Sequence, residues 1–150
     1  MKKVQIFTDG SSLGNPGPGG WCAILRYNRF EKILKGGKKE TTNNEMELKA
    51  VLEGLKALKE PCEVELYTDS KYIAQAVSEW IKIWEKNNWK TASKKPVSHR
   101  EMWEEISKLL KIHKVKPIWI KAHSGHKENE MCDKIAKEEA EKRKNLPDGR

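Results

Sequence analysis

Two segments of the sequence share one pattern, in which alternating apolar residues lead to an aromatic-Thr-Asp step followed by a small residue. They are residues 4–10 (VQIFTDG) and 64–70 (VELYTDS). Apolar residues at every second position predict β-strands. If these strands lie parallel and adjacent, Asp9 and Asp69 meet at the sheet edge where open α/β folds bind ligands. Because neighbouring carboxylates repel each other and resist desolvation, we expect a divalent cation between them.

Periodicity elsewhere predicts the remaining elements. Strands are expected at 3–10, 21–27, about 31–38, 63–68 and 115–121. Helices are expected at 43–59, 70–77, 80–87, 98–113 and 127–143, with a Gly/Pro-rich loop at 11–20 and a frayed tail at 144–150. This order predicts an α/β fold with a mixed five-stranded sheet, in which an antiparallel meander precedes parallel strands and helices flank both faces. The 150 residues fit a single domain, 1–150.

The chain is basic, with 30 Lys and Arg against 22 Asp and Glu and a net charge of +8. This charge favours a polyanionic partner, either nucleic acid or an acidic membrane surface. No apolar run approaches the ~18 residues of a membrane span, and no signal-peptide core follows Met1. Cys22, Cys62 and Cys132 are odd in number and lack CxxC spacing, so we interpret them as reduced, buried thiols. A cytoplasmic location is predicted.

Helical periodicity separates the acidic residues of the segment 43–59. Glu45 belongs to the polar stripe and is expected to be exposed and to pair with Lys49. Glu47 aligns instead with Val51, at the margin of the apolar stripe. A half-buried carboxylate needs a partner, which is either a surface lysine or a metal ion.

A fourth acid, Asp133, lies on a small-residue face of the last helix. Each acid taken singly has an ordinary explanation. Asp69 fits a helix N-cap, Asp9 fits a turn, and Asp133 fits an early-helix acid favoured by the helix dipole. Their coincidence at one sheet edge favours a functional site.

Residues 121–126 (KAHSGH) form a predicted loop beside these acids. On such a loop His123 is able to carry protons near neutral pH. The spacing H-x2-H-x5-C of His123, His126 and Cys132 raises the alternative of a zinc site. That spacing is irregular and no fourth ligand is evident, so zinc is disfavoured.

Four ordered blocks together resemble bacterial-type ribonuclease H of type 1. They are 7–21 (FTDGSSLGNPGPGGW), 41–48 (TTNNEMEL), 67–70 (YTDS) and 123–133 (HSGHKENEMCD). The resemblance extends from residue 3 to about 143, in the family's order and spacing. It implies a ribonuclease H-like fold and endonucleolytic hydrolysis of the RNA strand of RNA–DNA hybrids, which gives 5′-phosphate and 3′-hydroxyl ends.

By position, the resemblance implies that Asp9, Glu47, Asp69 and Asp133 are catalytic metal-binding carboxylates. It implies that His123 is a mobile catalytic histidine that assists product release or proton movement. Mg²⁺ is the expected cofactor, with Mn²⁺ as a possible substitute, because Mg²⁺ prefers a few carboxylates plus substrate phosphate. Two ions roughly 4 Å apart would activate a water and stabilise the leaving 3′ oxygen.

The resemblance also implies contacts with the hybrid. Asn15, Asn43 and Asn44 match positions that contact the hybrid, and amides both donate to and accept from the 2′-hydroxyl that marks RNA. Thr42 with Asn15 resembles a pocket for a DNA-strand phosphate. Without the resemblance, Asn43 and Asn44 would be interpreted as helix-capping residues.

Residues 80–97 resemble the family's basic protrusion, and we use that name for them. Trp80 is expected to pack its helix, whereas Trp84 and Trp89 are expected near the nucleic-acid backbone, with simple packing as the alternative. With no separate hybrid-binding module ahead of residue 1, this segment is expected to supply most of the added affinity. Its lysines would attract phosphates in a salt-sensitive manner; they are Lys82, Lys86, Lys90, Lys94 and Lys95.

Four positions depart from the family pattern. Lys71 stands where glutamine is frequent among substrate-contacting residues, which predicts phosphate attraction at the expense of 2′-hydroxyl readout. Ala122 replaces a glycine common before the loop histidine and is expected to stiffen the loop. Ser12 replaces a frequent cysteine, and Glu45 is acidic where a basic residue can occur. None removes a proposed metal ligand, so activity is expected.

Two other functions compete with a hybrid nuclease. Resolvases, integrases and some exonucleases carry acidic sites on similar sheets, but the HSGH block and the basic protrusion argue against them. A nonenzymatic hybrid- or duplex-binding protein would not need all four carboxylates. A membrane-surface role is disfavoured because the lysines cluster on a Trp-rich helix. We expect a monomer that binds RNA–DNA hybrid and no membrane.

Overall fold

The structure is a computed structural model that describes residues 1–144. The strands are β1 (Lys2–Ser12), β2 (Gly17–Tyr27), β3 (Phe30–Thr41), β4 (Cys62–Thr68) and β5 (Lys114–Trp119). The helices are α1 (Asn43–Lys56), α2 (Lys71–Gln75), α3 (Ile81–Lys86), α4 (Arg100–Ile112) and α5 (Lys127–Lys144), and the π-helical segment Ala76–Trp80 joins α2 to α3. None of these helices is long and apolar enough to cross a membrane.

The five strands form one sheet in the order β3-β2-β1-β4-β5. β1 and β3 pair antiparallel with β2, whereas β1 and β5 pair parallel with β4. The predicted mixed sheet is therefore confirmed. The parallel register opposes Phe7 to Tyr67, so the two Thr-Asp steps that follow lie side by side.

Side chains of β1 alternate between two apolar layers. Ile6 points into the larger core, which contains Leu48 and Leu55 of α1. Phe7 points to the opposite face, where it packs with Cys132 and Ala136 of α5. Because successive strand residues face opposite sides of a sheet, helices on both faces bury the middle of β1 from Ile6 to Asp9, and the carboxyl end that follows is only half-buried.

The glycine-rich segment predicted as a loop is mostly strand. β1 continues to Ser12, and β2 begins at Gly17, so Ser12 pairs with Gly19. At Gly20 an added Cβ would lie 2.3 Å from the carbonyl oxygen of Ala136. The glycine at position 20 thus lets α5 approach the sheet closely. In the sequence alone, a glycine that is needed for close packing looks the same as a glycine that is needed for a turn.

Other boundaries and one ion pair also differ from expectation. α1 ends at Lys56 rather than at 59, and Lys144 is the last residue of α5, while 145–150 lie outside the described residues. The predicted exposure of Glu45 and its pair with Lys49 are wrong. The half-buried Glu45 accepts a hydrogen bond from Thr41 and lies 3.5 Å from Lys38, and Lys49 pairs with Glu53 at 3.1 Å.

The three cysteines are free and buried, as predicted. The Cys132 and Cys22 sulfurs lie 3.4 Å apart between α5 and β2. Hydrogen bonding to Cys22 and burial raise the pKa of the Cys132 thiol far above its ordinary value. The Cys132 thiol is therefore a protonated core group.

Candidate active site

Helix α1 crosses the end of β1 at Gly10, and this crossing requires a glycine. An added Cβ on Gly10 would lie 2.3 Å from the backbone nitrogen of Glu47 and 2.4 Å from the carbonyl carbon of Met46. Backbone atoms cannot yield that space, so a larger residue would push the helix away. The close approach places Glu47 beside Asp9, the residue that precedes Gly10.

Three carboxylates converge at this crossing. Asp9 is buried in β1, Glu47 is half-buried in α1, and Asp69 is half-buried between β4 and α2. One ligand oxygen from each lies within 4.8 Å of the others, which makes them a group able to hold a metal ion. The parallel pairing of β1 with β4 and the crossing at Gly10 thus bring together three of the four predicted metal ligands.

Burial and mutual repulsion make this group hold protons unusually tightly. Burial, followed by the charges of Asp69 and Glu47, raises the pKa of Asp9 to about 9. Burial and the charge of Asp69 raise the pKa of Glu47 to about 8. Burial likewise raises the pKa of Asp69. An all-oxygen donor set that resists ionisation on its own suits a hard divalent cation, which would compensate the three negative charges.

Asp133, the fourth predicted ligand, lies at the margin of this group. It is half-buried in α5, and its interaction with Asp9 contributes to the raised pKa of Asp9. Its Oδ2 is 3.0 Å from the ammonium of Lys137 one turn later. The structure therefore brings Asp133 next to Asp9 but pairs it with a lysine.

His123 lies on an exposed loop between β5 and α5, as predicted. Its φ is 55°, and Gly125 in the same loop has φ 86°. The charge of His123 opposes the burial-raised pKa of Asp69, which places the imidazole near that carboxylate. His126 anchors the loop, since its ring stacks 5.6 Å from that of Tyr67.

The described residues do not assemble the zinc alternative. The Sγ of Cys132 donates to the carbonyl of Phe7 at 3.2 Å, in the apolar layer between the sheet and α5. The metal-binding group found among residues 1–144 consists of Asp9, Glu47 and Asp69, without a histidine or a cysteine. An oxygen-only site is the arrangement that this fold builds.

Asn15 and Asn43 are tied to each other beside the carboxylates. Asn15 Oδ1 accepts from the backbone nitrogen of Asn43 at 3.0 Å, and Asn43 Oδ1 accepts from the backbone nitrogen of Ser12 at 2.7 Å. Because N–H groups only donate, both amide oxygens are committed and the NH₂ groups remain as donors. Thr42 caps α1 by accepting from the Glu45 nitrogen at 3.2 Å, and Asn44 is exposed.

The basic protrusion combines packed tryptophans with exposed lysines. The Trp80 ring lies 5.8 Å from that of Tyr72, so its predicted packing is confirmed. The half-buried Trp84 ring lies 5.5 Å from Trp103 and 6.4 Å from Trp89. Packing thus accounts for the position of Trp84, and contact of Trp84 or Trp89 with nucleic acid stays a prediction. The exposed lysines are Lys82, Lys86, Lys90, Lys94 and Lys95.

Several residues shape the site in ways that the sequence analysis did not predict. Gly10 sets the helix crossing, and Ser12 donates through its backbone to Asn43. Trp119, which ends β5, donates its indole hydrogen to the carbonyl of Asp69 at 3.0 Å. The signal for Trp119 was its place at the end of the strand that follows β4 in the parallel sheet.

Comparisons with known proteins agree with this architecture. The family model described as RNase H matches residues 1–141. Ribonuclease H of Nitratidesulfovibrio vulgaris is 55% identical over 149 residues, which cover 99% of this chain and 96% of that protein. Ribonuclease H of Oleidesulfovibrio alaskensis is 57% identical over 138 residues, which cover 91% and 90%.

Among solved structures, LC9-RNase H1 superposes with a TM-score of 0.85. It is described as a type 1 RNase H with the type 2 active-site motif, is 27% identical, and is matched over 95% of this chain and 74% of its own. The family match, the high identity to the relatives and the carboxylate group at the end of two parallel strands all indicate the same family. The chain belongs to the ribonuclease H family, as a bacterial-type, type 1 member, and is a metal-dependent endoribonuclease.

Proposed function

We propose that the protein hydrolyses the RNA strand of RNA–DNA hybrids with two divalent cations, Mg²⁺ or, as a substitute, Mn²⁺. Asp9, Glu47, Asp69 and Asp133 would hold these ions. The observation that carries the proposal is the group of three carboxylates within 4.8 Å at the ends of β1 and β4. The names of the relatives support ribonuclease activity.

Held by these four carboxylates, the ions would activate a water as nucleophile and stabilise the leaving 3′ oxygen, which would give 5′-phosphate and 3′-hydroxyl ends. The chain's own residues orient the substrate. The NH₂ groups of Asn15 and Asn43 donate to 2′-hydroxyl oxygens of the RNA strand, and Thr42 with Asn15 contacts a DNA-strand phosphate. His123, exposed on its loop, moves a proton or assists departure of the product.

We also propose that the protein works as a cytoplasmic monomer with a single domain. All the proposed ligands and substrate contacts come from one chain. The three free, buried thiols suit a reducing compartment.

The decisive experiment incubates the protein with end-labelled RNA–DNA hybrid in Mg²⁺. Controls contain EDTA, an all-DNA duplex or single-stranded RNA. Cleavage confined to the hybrid's RNA strand and lost in EDTA is the expected result. Tight hybrid binding without cleavage would instead identify a nonenzymatic hybrid-binding protein.

Removing four lysines from the basic protrusion should weaken substrate binding more than turnover. We expect Lys86→Ala, Lys90→Ala, Lys94→Ala and Lys95→Ala together to raise KM with a smaller effect on kcat, because these exposed ammonium groups attract phosphates. If all four contact phosphates, the log–log salt dependence of hybrid binding becomes shallower by up to about 3.6.

The matched control removes the same charge from the other end of the sheet. Four exposed lysines at that end are Lys3, Lys32, Lys59 and Lys114. Replacing these with alanine should change the salt dependence little. If the salt dependence of hybrid binding has the same slope in the wild type and the protrusion variant, the lysines of the basic protrusion do not contact the substrate.

A further inference from the structure

The last residue of β5 and the residue after it hold the turn that carries Asp69, through hydrogen bonds to two consecutive carbonyl groups. The backbone nitrogen of Ile120 donates to the carbonyl of Thr68 at 2.8 Å. The indole Nε1 of Trp119 donates to the carbonyl of Asp69 at 3.0 Å. Trp119 and Thr68 are register partners in the parallel pair, so the indole needs only to reach one residue forward.

The same indole also holds a cation. The ammonium of Lys71 lies 4.8 Å from the centre of the Trp119 ring, within the range of a cation–π interaction. Trp119 keeps 43% of its surface exposed, so this cation lies at the solvent boundary. Asp69 and Lys71, two residues apart, are therefore both fixed by one side chain from the neighbouring strand.

Lys71 differs from the lysines that pair with acids. Lys49 and Lys137, for example, lie 3.1 and 3.0 Å from carboxylates. Within residues 1–144, Lys71 forms no ion pair, and its partner is a neutral ring. An aromatic face orders the side chain without neutralising its charge, so the positive charge remains available to an anion.

We propose that Trp119 is a positioning residue for substrate binding, and that it holds the Lys71 ammonium where it contacts a phosphate of the hybrid backbone. This inference rests on the proposed function. A lysine stem loses rotamer freedom when it binds, and ordering it beforehand reduces that loss. The indole hydrogen bond to Asp69 keeps this phosphate contact in register with the carboxylates.

The test measures hybrid dissociation constants in EDTA, where binding is recorded without cleavage. Wild type, Lys71→Gln, Trp119→Leu and the double variant form one cycle. Lys71→Gln should make the log–log salt dependence shallower by about 0.9, the share of one phosphate. Trp119→Leu should weaken binding roughly two- to fivefold when Lys71 is present and leave it unchanged in the Lys71→Gln background.

Trp119→Phe separates the two roles of the indole, because it retains an aromatic face and lacks the N–H group. It should bind hybrid within about twofold of wild type. In steady-state assays Lys71→Gln should raise KM with kcat nearly unchanged. Thermal unfolding of each variant shows whether it folds. If Trp119→Leu does not fold, the single variants Trp119→Phe and Lys71→Gln still test the proposal.

An equal effect of Trp119→Leu with and without Lys71 would overturn the proposal, as would an unchanged salt dependence in Lys71→Gln. Failure of hybrid binding by the wild type would also overturn it. Failure of the proposed reaction would appear differently, as intact hybrid in Mg²⁺ despite normal binding in EDTA.

Discussion

Asp9→Asn should abolish cleavage of the RNA strand while leaving hybrid binding intact. Asp9 is 5% exposed and belongs to the group whose oxygens lie within 4.8 Å. Asparagine keeps the shape of the side chain but removes the charge that a divalent cation needs. We expect a loss of at least ~10³-fold in kcat, which corresponds to about 4 kcal/mol in activation free energy.

Glu53→Gln provides the matched control on helix α1. It makes the same acid-to-amide change in a carboxylate that pairs with Lys49 and Lys56, outside the group of three. Its activity should stay within a few-fold of wild type. Full activity in Asp9→Asn would show that Asp9 has no catalytic role. Loss of hybrid binding would show that the substitution disturbs more than the metal site.

The carboxylate group was predictable because its geometry follows from strand periodicity. Alternating apolar residues define β1 and β4, and a parallel pair places equivalent strand ends together, so Asp9 and Asp69 had to be neighbours. Glu47 was predictable as a half-buried residue from helical spacing. Its distance from Asp9 was not, because that distance depends on how closely α1 approaches Gly10.

The features that could not be predicted from the sequence depend on tertiary packing. Gly17–Gly20 has the composition of a turn, yet it lies in β2, where position 20 requires a glycine because Ala136 leaves no room for a side chain. Glu45 has Lys49 one turn away but contacts Lys38 and Thr41 of β3. Local rules identify neighbours within one helix and do not report which strand lies beside it.

The amide groups of Asn15 and Asn43 illustrate the same limit at atomic scale. Residue type allows each to donate or accept, and only the neighbouring N–H groups determine which atom faces the substrate. Trp119 was missed because its two partners, the Asp69 carbonyl and the Lys71 ammonium, come from the turn after β4 and the start of α2. Such contacts are properties of sheet register.

The metal-free protein should lose stability as the pH rises, and a divalent cation should reverse that loss. Burial and neighbouring charges raise the pKa of Asp9 to about 9 and that of Glu47 to about 8 in the folded protein. Both values exceed the ordinary range of roughly 4 in an unfolded chain. Their stabilising protonation is therefore fully present below pH ~4 and is lost as the pH rises through ~8 to 9.

Thermal or denaturant unfolding in EDTA and in Mg²⁺ between pH 6 and pH 9 measures this linkage. In EDTA, each proton held only by the folded state contributes a slope of about −1.4 kcal/mol per pH unit to the free energy of unfolding. Mg²⁺ at 100 times its dissociation constant restores about 2.7 kcal/mol, with the larger gain at higher pH, where the carboxylates ionise.

Asp9→Asn isolates the contribution of this group from other titrating residues. The variant in EDTA should show a flatter pH profile than wild type, should be the more stable of the two at pH 8, and should gain less from Mg²⁺. Glu53→Gln should follow the wild-type profile, because its carboxylate lies outside the group. Parallel profiles for wild type and Asp9→Asn would mean that Asp9 ionises normally in the fold. The carboxylates would then not be under the mutual repulsion that makes a cation the natural occupant of this site.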